Sequence, residues 1–239
     1  MITNVTSPNY GPRKSEEGKA PKIDMLVIHY TGMMPTIRAR DWLCDPASQV
    51  SAHYLLGEDG TTWRMVSEKD RAWHAGVGYW RGCRDINSRS IGVELSNPGH
   101  DYGYRDFPEA QIESLIGLAQ DIFTRHPIPA HNVVAHSDIA TDRKIDPGER
   151  FPWARLGEAG VGLWPEFSTP VEPAALLNDA PLVALSEIGY DTKRQAIRTV
   201  VSAFQRRFRS ACFDGELDEE TKMRVAQVNS LVAASCSSA

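Results

Sequence analysis

The chain has 239 residues, 41% hydrophobic and 24% charged, with 26 Lys+Arg against 31 Asp+Glu for a net charge of −5. These proportions belong to a soluble globular protein and exclude a disordered chain, a collagen-like repeat and a disulfide-dense miniprotein. The acidic balance lacks the electrostatic footprint of a nucleic-acid binder, and the length allows one large domain or a medium one with a small companion.

Residues 1–21 are polar, interrupted by Pro8, Pro12 and Pro21, and read as an irregular arm. They contain no apolar stretch of the kind that makes a secretory signal, which points to the cytoplasm, with a periplasmic or envelope location the alternative for a trimmed chain. No apolar run in the chain approaches the ~18 residues of a membrane span. Ile23–Tyr30 is dense in β-branched and apolar residues and predicts a buried strand. Thr36–Asp45 predicts a short helix. Ser51–Leu56 and Thr61–Val66 flank Gly57-Glu58-Asp59-Gly60, the pattern of a hairpin. Ser90–Leu95 is a further short strand. From Pro108 to His126, Ile112, Leu115, Ile116, Ala119, Ile122 and Phe123 fall on one face at helical period, and Pro127 and Pro129 stop the helix. Asn132–His136 predicts another strand. Strands interleaved with helices imply an α/β fold, a mixed central sheet flanked by helices.

Pro165, Pro170 and Pro173 mark a linker. Beyond it, Ala174–Ile188 predicts a helix ending at Gly189. Thr192-x-x-Gln195 matches a capping box opening a helix that carries Ile197, Val200, Val201, Phe204 and Phe208, and Asp218–Leu231 predicts a third. The expected organisation is an arm at 1–21, a main domain at 22–168, a linker at 169–173 and a separate small helical domain at 174–235.

Cys44, Cys83, Cys212 and Cys236 show no C-x-x-C spacing, so they are read as idle thiols and not as a zinc site. His29 and His136 end apolar runs expected to be sheet neighbours, and Asp146 follows in Lys144-Ile145-Asp146. Two imidazoles and a carboxylate form a three-ligand set for catalytic zinc with a fourth position open. No H-E-x-x-H is present, so spacing alone leaves the question open. Glu94 sits inside an apolar strand run, costly without a function or a partner, although a surface-facing strand position accounts for it equally. Lys144 lies two residues before Asp146, on the same side of an extended segment. A solvated surface lysine is the plainer reading of that residue alone.

Six blocks occur in order: Val27-Ile28-His29-Tyr30-Thr31, Val50-Ser51-Ala52-His53-Tyr54, Ala72-Trp73-His74-Ala75-Gly76, Ser90-Ile91-Gly92-Val93-Glu94-Leu95, Val134-Ala135-His136-Ser137-Asp138 and Lys144-Ile145-Asp146-Pro147-Gly148. Together they resemble the zinc-dependent N-acetylmuramoyl-L-alanine amidases of the amidase_2 type, the family that includes peptidoglycan recognition proteins. The resemblance implies Zn2+ held by His29, His136 and Asp146, with Glu94 and Lys144 catalytic. Tyr30, Trp73, His74 and Asn97 are candidate substrate contacts, with a structural role an equal reading of His74 and ordinary packing the plainer reading of Trp73. The resemblance also implies hydrolysis of the amide between the lactyl group of (anhydro-)N-acetylmuramic acid and L-Ala, with muropeptides or murein as partner. Asp at the third ligand position points to the bacterial branch, and Tyr30 stands where cytoplasmic recycling amidases tend to carry Asn, which argues against strict specificity for anhydro-muropeptides. Val200-x2-Ala203-Phe204 and Asp214-Gly215-x2-Asp218-x2-Thr221 resemble a small peptidoglycan-binding domain. The competing expectation is a non-catalytic muropeptide-binding protein. A serine hydrolase is excluded for want of G-x-S-x-G.

Overall fold

The arm read as irregular contributes two short strands, β1 (Ile2–Asn4) and β2 (Tyr10–Pro12). Their side chains are mostly exposed, so no apolar periodicity announces them. The computed structural model describes residues 2–15, 21–168, 170 and 180–237. After the arm come β3 (Met25–Tyr30), α1 (Thr36–Cys44), β4 (Tyr54–Leu56), β5 (Thr62–Arg64), β6 (Asp70–Ala72), α2 (Ile86–Arg89) and β7 (Ser90–Leu95). There follow α3 (Glu109–Arg125), β8 (Val133–Ala135), α4 (His136–Ile139), α5 (Trp153–Glu158), α6 (Ala180–Ile188), α7 (Ile197–Phe208) and α8 (Glu219–Ser237).

Six strands form one sheet in the order β1-β5-β4-β7-β3-β8, and β2 pairs with β6 in a separate ribbon. β4 and β5 make the expected antiparallel hairpin. β3 runs parallel to both neighbours, and β4 runs parallel to β7, so the sheet is mixed as expected. Strands buried on both faces read as apolar runs, which explains why β3 and β7 were visible in the sequence.

Side chains alternate across a strand, and β3 shows what each face meets. Leu26 and Ile28 join Ile91 and Val93 of β7 and Ile112, Leu115, Ala119 and Ile122 of α3 in one apolar cluster. Met25 and Val27 face the other way, into a cluster shared with Leu185 and Ile188 of α6, Val200 and Phe204 of α7 and Val225 and Val228 of α8. Three C-terminal helices therefore form as expected, but they share a core with the sheet instead of standing as a separate bundle. The expected linker at 169–173 and the first part of the expected helix at 174–188 lie largely outside the described residues.

A buried polar joint reinforces that contact. Asp138 of α4 is 1% exposed and accepts from Arg207 of α7 at 3.0 Å and from the Tyr190 hydroxyl at 2.7 Å. The Arg207 guanidinium lies 4.0 Å from the centre of the Trp153 ring. α7 starts at Ile197 and not at Thr192, because Tyr190 is anchored in the core and Asp191 is held by Arg84 at 2.7 Å. Residues 192–194 make a turn there, so tertiary anchoring overrides the capping-box pattern. No helix among the described residues is long and apolar enough to cross a membrane.

Candidate metal centre and active site

The site lies beyond the carboxyl ends of the parallel strands β3, β7 and β8, the edge where open α/β sheets hold ligands. His29 is the penultimate residue of β3 and stands in register with Glu94 of β7. His136 was expected to end a strand; it is the first residue of α4, directly after β8. The Asp138 carboxylate accepts the Ala135 backbone N–H at 2.9 Å, caps that helix and turns the chain at His136. Asp146 arrives on the following loop, whose backbone is tied to α4 by Ser137 N–H donating to the Asp146 carbonyl at 2.9 Å.

His29 Nδ1 and His136 Nδ1 are 2.9 Å apart, and Asp146 Oδ2 lies 3.2 Å and 3.0 Å from them. All three residues are buried. His136 Nε2–H donates to the Ala75 carbonyl at 3.1 Å, so in the neutral ring that ligation requires Nδ1 offers the lone pair. Burial first, then the neighbouring His136 ring, lower the His29 pKa to about 4, so the imidazole is neutral as ligation requires. Ligand atoms around a tetrahedral zinc with bonds of 2.0–2.1 Å stand roughly 3.3 Å apart. Two bare nitrogens and a carboxylate oxygen at this spacing fit that ion in number, type and separation.

Glu94 and Lys144 line the same open groove of about 470 Å³. The Glu94 Oε2 atom is enclosed and has no hydrogen-bond partner among the described residues. Burial, and then the Asp146 charge, push its carboxyl up to about 8, against a smaller pull from Lys144. Lys144 is half-buried, and its ammonium makes no hydrogen bond or ion pair among the described residues.

The other expected contacts divide. Tyr30 and Trp73 line the groove, with the Tyr30 hydroxyl 2.9 Å from His100 Nδ1 and its pKa pushed up to about 12 by burial. His74 touches the groove, yet both ring nitrogens are engaged, Nδ1 with His29 Nε2 at 3.0 Å and Nε2 with Ser90 Oγ at 3.2 Å. Asn97 is not brought to the groove. It is fully buried, and its amide is committed to its own loop, donating to the Arg105 carbonyl and accepting from Gly99 N–H. His53 is buried and accepts the Gly92 N–H at 2.9 Å. Sequence reasoning missed the Ala75 carbonyl, a backbone group with no side-chain signature, and Trp42 on the groove wall, which was legible only as a helix residue. All four cysteines are free, and none belongs to the candidate metal cluster.

Residues 19–149 match the family model Amidase_2, N-acetylmuramoyl-L-alanine amidase. The chain is 38% identical to N-acetylmuramoyl-L-alanine amidase AmiD of Escherichia coli, over 88% of this chain and 83% of that protein. It is 35% identical to 1,6-anhydro-N-acetylmuramyl-L-alanine amidase AmpD of Escherichia coli, over 64% of this chain and 88% of that one. Among solved structures, AMPDH3 from Pseudomonas aeruginosa superposes with a TM-score of 0.78 at 31% identity, covering 91% of this chain and 95% of its own. With its fold, its six sequence blocks and its His-His-Asp cluster accounted for, the chain belongs to the Amidase_2 family of N-acetylmuramoyl-L-alanine amidases.

Proposed function

We propose that this protein is a zinc-dependent N-acetylmuramoyl-L-alanine amidase that cleaves the amide between the lactyl group of (anhydro-)N-acetylmuramic acid and L-Ala. The observation that carries the reading is the unpartnered Glu94 Oε2 beside the His29, His136 and Asp146 triangle. A buried carboxylate oxygen with no partner is costly, and a substrate or water in the groove supplies the partner. Solved relatives support the substrate class: AmiD has been captured with anhydro-N-acetylmuramic acid-L-Ala-D-gamma-Glu-L-Lys and AMPDH3 with an anhydromuramic pentapeptide.

His29, His136 and Asp146 would hold the ion, which supplies Lewis-acid chemistry and makes water acidic near neutral pH. With its carboxyl ionised beside the cation, Glu94 takes a proton from the attacking water at Oε2 and returns it to the L-Ala nitrogen as the C–N bond breaks. The Lys144 ammonium faces the negative charge that develops on the carbonyl oxygen. Its freedom from other partners suits that role, since no existing ion pair must break first. Tyr30 and Trp73 present rigid rings to sugar or peptide along the groove wall.

The test is metal stoichiometry on the purified full chain together with mass spectrometry of digested muropeptides. Free stem peptide that disappears with chelator supports the reading. Intact muropeptide at full zinc occupancy overturns it and favours the muropeptide-binding alternative.

A further inference from the structure

Both metal-facing imidazoles are steered from one short segment, His74-Ala75, but by different means. The Ala75 carbonyl takes the His136 Nε2–H. His29 is met by a second imidazole. We propose that His74, polarised by Ser90, is a positioning residue that sets the tautomer of His29 and keeps the His29 Nδ1 lone pair aimed at the metal; this rests on the zinc-amidase reading above.

The hydrogen bonds admit one direction only. Ser90 Oγ lies 2.7 Å from the Ile86 carbonyl, which can only accept, so the single hydroxyl proton is committed there. Ser90 Oγ must then accept from His74 Nε2–H, at 3.2 Å. A neutral imidazole carries one proton, so His74 Nδ1 is an acceptor and takes the His29 Nε2–H at 3.0 Å. His29 Nδ1 is left bare, 2.9 Å from the equally bare His136 Nδ1. Were the chain reversed, a proton on His74 Nδ1 would drive the His29 proton onto Nδ1, into the place the metal must occupy.

The surrounding fold is shaped to this ring. Gly92 interrupts β7 where His74 lies over it, and a Cβ on Gly92 would stand 2.4 Å from His74 Cγ. Any side chain there would displace the imidazole. The buried Asn87 Oδ1 accepts both the His74 N–H at 3.2 Å and the Ala75 N–H at 2.9 Å. One amide therefore fixes the segment that supplies both outer contacts. The His74 ring meets His29 edge-on, at 83° and 5.0 Å between centroids. Partners of this kind set ligand orientation and basicity, and their loss commonly lowers metal affinity about 10–100-fold.

The experiment measures zinc affinity of the full chain by chelator competition for the wild type, His74→Phe, His74→Asn and Ser90→Ala. Phe keeps the ring volume without nitrogens, whereas Asn places an acceptor oxygen near the position of Nδ1. His74→Phe and Ser90→Ala are expected to weaken zinc about 10–100-fold, with His74→Asn recovering part of the loss. Nitrogen NMR of the chelator-treated chain should show His29 as the Nε2–H form in the wild type and an Nδ1–H population in Ser90→Ala. A wild type that binds zinc while His74→Phe and Ser90→Ala bind within twofold of it overturns this inference alone, as does an unchanged His29 tautomer in Ser90→Ala. A wild type that takes up no zinc overturns the metal reading and this inference together.

Discussion

Replacing Glu94 by Gln should make the metal-free protein more stable at alkaline pH. The Glu94 carboxyl is raised from 4.5 to about 8, first by burial and then by the Asp146 charge. In the unfolded chain the same group ionises near its ordinary value. Between pH 4.5 and 8 the folded state therefore holds a proton that the unfolded state has lost. Stability linked to Glu94 is thus fully present below pH 4.5 and is lost as pH rises through 8. At 1.36 kcal/mol per pH unit the loss has a ceiling of about 5 kcal/mol, reduced to about 2–3 kcal/mol by water entering from the open groove. Glutamine keeps the shape and never ionises. Urea unfolding of the chelator-treated wild type and Glu94→Gln from pH 5 to 9 should show curves that diverge with rising pH, the variant ahead by about 2–3 kcal/mol at pH 9. Parallel curves would refute the claim that the metal-free site holds Glu94 protonated. The same substitution should retain zinc and lose turnover, the pattern of a group kept for chemistry at the expense of stability.

Three further outcomes follow from the site and the joint beneath it. His136→Ala removes one of three ligands, so zinc measured after dialysis should fall to background and muropeptide cleavage with it. Lys144→Met should leave zinc content unchanged while kcat drops about 100–1000-fold, the usual cost of one electrostatic donor; a loss confined to KM would contradict its assigned role. Arg207→Met should cost about 3–5 kcal/mol in chemical denaturation, because it leaves the Asp138 carboxylate buried without its cation. Doubling the change with Asp138→Asn should recover part of that loss, and a strictly additive double variant would argue against the pairing.

The site was legible to the extent that it is made of side chains at strand ends. His29 and Glu94 stand out as polar interruptions of apolar runs, and those runs are apolar because β3 and β7 are buried on both faces. The long helix was legible because Ile112, Leu115, Ala119 and Ile122 repeat at its period. β1, β2 and β6 were invisible, since three-residue edge strands are held by backbone bonds and carry no pattern. The Thr192 capping box misled because Tyr190 and Asp191, anchored to distant parts of the chain, dictate where the helix can begin. Asn97 was a candidate substrate contact, but its partners are backbone groups that only the folded loop brings near. The roles of Ala75 and Ser90 were beyond reach for the same reason: each acts through the direction of a hydrogen bond, which residue type alone does not specify.

The joint formed by Asp138, Arg207 and Tyr190 bears on how such a chain can change over evolutionary time. A carboxylate at 1% exposure whose cation comes from α7 ties the helix that carries a metal ligand to a segment some seventy residues away. A recombination point in the proline-rich stretch before α6 would separate the charge from its partner. Each half would then carry a buried liability that the other was built to neutralise. The C-terminal helices are thus not a tag that can be exchanged freely, and exchange between relatives should succeed only where Asp138, Tyr190 and Arg207 travel together or are all replaced by apolar residues.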